Sequence, residues 1–357
     1  MKLSVLLLAL ALMDPIDPGS NPSRGENDQA PDLPHMAVWR PGPVLCSDGR
    51  YFSSDSFPPS IPASVGEAED PSPDATFAFT LTNEGRALSI AMIEDGKRRS
   101  HTLDIAPTIA AGSFGPSPSD TQCEVNFSQA VFPVGRAEPQ DLVLLGAYDP
   151  QAPGASLAWT IRTRGDCLFA PIPRPVNDVQ PDFAALSQTP GAANWTVVTF
   201  DLDEEGIPVD IAILASSGAE DLDRAVLETT AQSRLSESDR TGCIRTVGTA
   251  ADVIGAPVQP ELGFFGPIPE ACDADNLLSE ELLLEYPAAY QRRAIEGWAI
   301  LRYDIASTGK IENIEVLEAQ PAVEFGMAAK SLLEGGRAQE RASGLAGCVI
   351  PVSFSID

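Results

Sequence analysis

Six cysteines are the residues of this sequence most capable of chemistry: Cys46, Cys123, Cys167, Cys243, Cys272 and Cys348. A thiol can serve as nucleophile, metal ligand or half of a disulfide, and pattern decides among the three. No C-x-x-C pair occurs, and the histidines available to complete a zinc set are His35 and His101 alone. In consecutive pairs the cysteines lie 77, 76 and 76 residues apart. Three near-equal intervals point to one unit used three times, and a repeated unit repeats its bond. The expected disulfides are therefore Cys46–Cys123, Cys167–Cys243 and Cys272–Cys348, although six cysteines admit many other pairings. Closing a loop of this length stabilises a small domain by about 4 kcal/mol on the chain-entropy account.

The remaining reactive inventory is thin. His35 stands in a proline-rich entry segment and His101 beside Lys97, Arg98 and Arg99, so both read as solvent-facing polar residues rather than as a catalytic base. Asp201, Asp203, Glu204 and Glu205 could offer oxygen ligands to calcium, but they lack the spacing of a binding loop and suit a solvated hairpin turn better. Gly335-Gly336 reads as a helix stop rather than a phosphate cradle. Trp159, Trp195 and Trp298 fall in strand-like runs and suit core packing. No catalytic, cofactor or metal set emerges, and the chain is not expected to be an enzyme.

The elements that position the cysteines repeat with them. Gly85, Gly206 and Gly309 each sit in a polar turn, with a cysteine 37 to 39 residues before and another 37 to 39 residues after. Before each glycine stands an alternating, β-branched or aromatic run: ATFAFTL from Ala75, WTVVTFDL from Trp195, WAILRYDI from Trp298. After each comes a second such run: LSIAMIED from Leu88, DIAILASS from Asp210, NIEVLEAQ from Asn313. A residue able to take positive φ between two strands predicts a β-hairpin. Helical spacing follows over about Glu220–Leu235 and Ala322–Leu333, and in a short, degenerate form with Pro107 inside it over Thr102–Ala111. Cys123, Cys243 and Cys348 then each open a last strand.

The N-terminus reads Met1-Lys2 and then an apolar run from Leu3 to Met13, with the small-x-small site Ala9-Leu10-Ala11. Residues 1–13 fit a secretory signal and are too short to span a bilayer, which needs about 20 apolar residues. Export agrees with a disulfide-rich chain. The balance of 23 basic to 51 acidic residues, a formal net charge of −28, repels nucleic acid phosphates and anionic lipid headgroups. Residues 20–37 and 248–262 read as linkers, and the runs LVLLGAY and LAWTIR between Asp141 and Arg164 read as two more strands.

The last copy carries further features in order: Tyr286-Pro287, a helical run ending in Glu296-Gly297, the strand WAILRYDI, the turn glycine Gly309, and a helix holding Phe325 and Ala328. Over about residues 280–357 this resembles the C-terminal domain of the TonB family, whose members couple inner-membrane energy to outer-membrane transporters. The resemblance reaches the second copy weakly and the first through the repeat alone. It implies an α+β fold of three tandem TonB C-terminal-like modules, at 38–135 (degenerate), 155–250 and 264–357, each a small antiparallel sheet of a hairpin plus a last strand with one main helix. It also implies a protein partner, such as an outer-membrane transporter or its extended peptide, bound by strand addition at a free sheet edge. The family's anchor helix and long proline-rich spacer have no counterpart here. The expected role is thus a periplasmic, non-catalytic binding module. The alternative is a structural or stress-type envelope protein whose stacked modules leave no edge free.

Overall fold

Strand-forming runs broken by glycine turns give a chain that is mainly antiparallel sheet, with short helices laid across the sheets. The computed structural model describes residues 35–59, 64–66, 71, 73–93, 104–118, 120–148, 165–167, 169–272, 284–340 and 342–356. Among these the fold is α+β, with small antiparallel sheets and few helices. The signal segment 1–13, His101, Trp159 and the run LAWTIR lie outside the described residues.

The first sheet contains β1 (His35–Cys46), β2 (Tyr51–Phe52), β3 (Ser64–Gly66), β4 (Ala75–Leu81), β5 (Ala87–Met92) and β6 (Thr121–Pro133). Its order is β2-β1-β6-β4-β5, with β3 also paired to β1. Alternation builds its core: β4 buries Ala75, Phe77, Phe79 and Leu81, and β6 buries Thr121, Cys123, Val125 and Phe127. Helix α1 (Ile105–Ala110) covers this face and is buried throughout; Pro107 falls in its first turn, where a missing N–H costs no helical bond. Strand β1 was masked in the sequence by Pro41 and Pro43, which a register shift between Pro41 and Val44 accommodates. His35 is therefore not in a solvated entry segment: it opens β1 opposite Pro133 and Gly66.

The run LVLLGAY, expected as a strand, is helical. It belongs to α2 (Pro139–Tyr148), which starts with a proline at a first helical position. Leu142 and Leu145 pack with Met36, Val38, Val134 and Ala137, while Val143 packs with Trp195 and Val197 of the next sheet. A helix wedged between two apolar surfaces has no polar stripe, so its sequence cannot be told from a buried strand.

The second sheet has the order β11-β8-β9, from β8 (Trp195–Leu202), β9 (Pro208–Ser216) and β11 (Cys243–Gly248). A two-stranded ribbon of β7 (Pro175–Asn177) and β10 (Arg234–Leu235) stands beside it. Helix α3 (Glu220–Ala231) buries Leu222, Val226 and Thr230. It stops short of the expected Leu235 because Arg234 and Leu235 turn away to pair with β7. The third sheet has the order β13-β12-β14, from β12 (Gly297–Ile305), β13 (Ile311–Gln320) and β14 (Leu345–Phe354). Helix α4 (Ala288–Arg292) leads into it, and α5 (Val323–Gly335) buries Phe325, Gly326, Ala329 and Leu333 against it.

Geometry recurs across the three sheets at fixed offsets from the turn glycines. Gly85, Gly206 and Gly309 have φ of 81°, 75° and 78°. Four residues on, Ser89, Asp210 and Asn313 each take φ of 52° in a bulge that skips Phe79, Phe200 or Tyr303 of the first strand. Those same skipped aromatics stand across from Cys123, Cys243 and Cys348 in the last strand.

The segment 248–262, expected as a linker, is packed. Ile254 pairs in parallel with Ile295, and the Trp298 Nε1 donates to the Pro257 carbonyl at 2.8 Å. Leu262, Phe265 and Ile268 then lie against Trp298, Ile300 and Val349. Strand β12 is buried on both faces, so the face turned away from α5 requires a cover, and this segment supplies it. The first and third sheets share one apolar cluster that runs from Trp39 and Phe79 to Tyr290 and Phe325; the second sheet keeps its own around Val198, Leu222 and Val226.

Candidate functional site

Most of the residues that carry the resemblance in the last copy gather at the end of the third sheet where β12 begins; Gly309 sits at the opposite end, in the turn between β12 and β13. The Tyr286 ring lies edge-on to Phe325 at 6.2 Å and to Phe354 at 5.6 Å, and its hydroxyl donates to the Ile295 carbonyl at 2.7 Å. Burial, with Glu296 nearby, holds that hydroxyl well above the usual tyrosine range, so it remains a neutral donor. Pro287 caps α4, its carbonyl accepting from Tyr290 and Gln291. Tyr290, fully buried beside Phe325 at 4.7 Å, points its hydroxyl to Glu324 at 3.2 Å. Its hydroxyl too is pushed up, first by burial and then by Glu324.

Glu296 works as a clamp. One carboxylate oxygen accepts from the Ile356 amide at 2.9 Å and the other from the Ala256 amide at 3.2 Å. It thereby ties the C-terminal residues and the covering segment to the start of β12. Gly297 must be glycine for close approach: a Cβ there would stand 2.5 Å from the Gln320 carbonyl oxygen and 2.7 Å from the Phe325 ring. Gly309 has positive φ and would place a Cβ 2.2 Å from the Ala338 carbonyl oxygen. Phe325 is fully buried at the centre of the group. These seven residues shape the sheet, and the one carboxylate among them, that of Glu296, has both oxygens engaged by backbone amides.

What the third sheet does present is edges. Among the described residues no strand pairs with the outer side of β14 or of β13. Strand β14 carries the exposed Pro351, whose absent N–H is tolerated on an outer strand. Strand β13 carries Glu312, paired to Lys310 at 3.0 Å, and Glu315, paired to Arg302 at 3.2 Å. Its end is engaged: Ile90 of β5 donates to the Pro321 carbonyl at 2.9 Å, and Ser89 exchanges bonds with the Gln320 side chain.

The cysteines are bonded as Cys46–Cys123, Cys167–Cys243 and Cys272–Cys348, with Cα atoms 4.0, 4.9 and 5.3 Å apart. Each bond secures the strand that carries its later cysteine. The acidic cluster closes its own hairpin: Asp203 accepts from the amides of Glu205 and Ile207, and Asp201 from that of Gly242.

One network had no visible trace in the sequence. Arg293 is 2% exposed and forks onto Asp104 at 3.0 and 2.6 Å. It also donates to Thr108, to the Pro59 carbonyl and to the Gly191 carbonyl. It thus joins the third sheet's approach to α1 of the first sheet and to the entrance of the second. Asp104 and Arg293 are 189 residues apart in sequence, and no periodicity links two such positions.

The family model described as the Gram-negative bacterial TonB protein C-terminal matches residues 283–356. Protein TonB of Salmonella typhimurium is 33% identical over 73 residues, which is 20% of this chain and 30% of that protein. Protein TonB of Klebsiella pneumoniae is 33% identical over 72 residues, 20% of this chain and 29% of that protein. The chain thus spans less than a third of the length of these relatives. The matched stretch starts just before Tyr286 and ends just after Phe354, so it takes in the aromatic group, the Glu296 clamp and all three strands; over these residues the chain is similar to the C-terminal domain of TonB proteins.

Proposed function

We propose that this is an exported, periplasmic, non-catalytic protein of TonB-dependent transport, which binds an extended segment of an outer-membrane receptor by adding it as a strand to the outer edge of β14. The observation that carries the reading is the union of a TonB C-terminal match with an uncovered edge on the matched sheet. Backbone donors and acceptors along such an edge supply affinity, and the side chains flanking it supply selectivity. Three modules of this kind, at 38–135, 155–250 and 264–357, are supported by the shared strand order, the shared bulge at positive φ and the shared pairing of a cysteine with the skipped aromatic. A second reading, the stacked structural protein, draws on the apolar cluster common to the first and third sheets, which covers the end of β5. It explains that face without removing the edge of β14.

Hydrogen–deuterium exchange with the N-terminal peptide of an outer-membrane transporter as the probe separates the two. Strand addition protects the Leu345–Phe354 amides at saturating peptide. Unchanged exchange along β14, with the fold intact, leaves the stacked reading in its place.

A further inference from the structure

The three hairpins place their second strands, β5, β9 and β13, at the outer side of each sheet, and the residues along those strands differ in a way that tracks cover. Three residues after the turn glycine stand Leu88, Val209 and Glu312, paired in register with Thr80, Asp201 and Asp304. Six residues after it stand Ala91, Ala212 and Glu315, paired with Ala78, Thr199 and Arg302. Nine residues after it, the second sheet has Ala215 where the third has Glu318. The apolar strand β5 is covered, since Ile90 pairs with Ala322 and donates to Pro321. The glutamate-lined strand β13 is open over most of its length and carries the charges that keep a free edge from pairing. Strand β9 has the apolar pattern of the covered strand, yet among the described residues no strand pairs with its outer side. Its far end is occupied, with Leu214 and Ala215 packed near Val143 of α2. That leaves Ile207 at 38%, Val209 at 38% and Ile213 at 42% exposure on an unprotected stretch.

We propose that Pro208–Ile213 of β9, with the exposed Ile207 side chain just before it, is a second docking edge, and that its occupant is an extended, basic peptide segment of a partner protein with small apolar side chains between its lysines or arginines. The charge around it selects that occupant. Asp203, Glu204, Glu205 and Asp210 flank the stretch, and among the described residues none of them is in an ion pair. On β13 the acids that stand in the places of Val209 and Ala212, Glu312 and Glu315, are paired with Lys310 and Arg302. A second copy of this chain, at a net charge of −28, would bring like charge against like. A basic segment would pair its backbone with β9 and set its cations beside these carboxylates. The site is separate from β14 and does not depend on what that edge binds.

The probe is an acetylated peptide of about nine residues alternating valine and lysine, the length of an ordinary strand with its ends. It is titrated calorimetrically against the full disulfide-bonded chain, with hydrogen exchange read in parallel. The expected result is protection of the Val209–Ile213 amides, with β14 unaffected, and binding that weakens with salt. The double substitution Val209→Glu and Ala212→Glu copies the residues that β13 carries at the same register, so the sheet can hold it. It is expected to weaken the peptide by roughly tenfold or more, about 1.4 kcal/mol, although it adds negative charge. Ala212→Glu alone, at an exposed site, serves if the double variant misfolds. Binding that is unchanged or tighter in the glutamate variants means a diffuse electrostatic contact and overturns the edge. So does protection elsewhere, or no binding at all. A dimer of the free chain that the same variants abolish would make the occupant a second copy and overturn the basic partner.

Discussion

Arg293 concentrates more of the architecture than any residue of the family set. A guanidinium has five N–H donors and no acceptor, and buried it must be both neutralised and saturated. Asp104 supplies the charge through a two-point fork, and Thr108, Pro59 and Gly191 take further donors. Thr108 passes its own proton to the Asp104 carbonyl at 2.7 Å, so it can accept from Arg293. Arg293→Ala leaves a buried carboxylate alone and is expected to cost about 3–5 kcal/mol in urea unfolding. Asp104→Ala with Arg293→Met should cost less than either single change, because no bare charge remains; a double-mutant cycle reads the coupling. The tyrosines make a second statement at this scale. Tyr286, Tyr290 and Tyr303 all hold their protons more tightly when folded, each chiefly through burial. Below the ordinary tyrosine pKa of about 10 all are neutral in both states, so stability is flat with respect to them. As pH rises past that value the unfolded chain loses protons first and stability falls. The urea midpoint should therefore drop between roughly pH 10 and 11. Tyr286→Phe should soften that drop while costing about 1 kcal/mol at neutral pH through the lost bond to Ile295.

Elements were legible where residue type or period marked them. Strand β4 alternates between a buried and a partly exposed face, and β8 and β12, buried on both faces over much of their length, are marked by β-branched and aromatic residues between turn glycines. The last strands were located but not their starts: Cys243 opens β11, whereas β6 begins at Thr121 and β14 at Leu345, ahead of Cys123 and Cys348. The exceptions lack a readable period, each for its own reason. Helix α2 is apolar on both sides because it is held between two sheets; β1 is interrupted by Pro41 and Pro43; and the cover at 254–268 is irregular, fixed by Glu296, Trp298 and Arg302 rather than by a period of its own. The motif around Gly297 was visible as a set of residue types, but its reason was not: the glycine is needed because β13 and the Phe325 ring approach the backbone there from two sides. Gly297→Ala must push one of them away, and rigid backbone at 2.5 Å cannot give as a flexible chain end would. The expected loss is about 1–3 kcal/mol in thermal or urea unfolding. Gly335→Ala, with open space around it, serves as the control and should lose far less.

At the scale of the whole molecule, connectivity by apolar contact differs from connectivity by sequence. The first and third sheets are distant in the chain yet share one cluster, with Ile90, Ile105 and Ala106 on one side and Tyr290, Ala322 and Phe325 on the other. The second sheet lies between them in sequence and is tied in by Val143 at one end and by Gly191 against Ala111 and Ile254 at the other. Residues sharing a close-packed core lose their contacts together, so cooperative units should follow the clusters rather than the order of the hairpins. Native-state hydrogen exchange across a urea series tests this. The slow amides of β4, β6 and β12 are expected to merge into one opening reaction of common free energy and urea dependence, and those of β8 and β11 into a second. Arg293→Ala should lower the first more than the second, since its strongest partners, Asp104 and Thr108, sit in the first sheet's helix. An isotherm for β12 that separates from that of β4 would mean the third sheet stands alone, and the cluster between them would then be contact without cooperation. If the two isotherms merge, any partner that strains the edge of β14 also loads the first sheet, and the three disulfides, one at each sheet, hold the strands in place under that load.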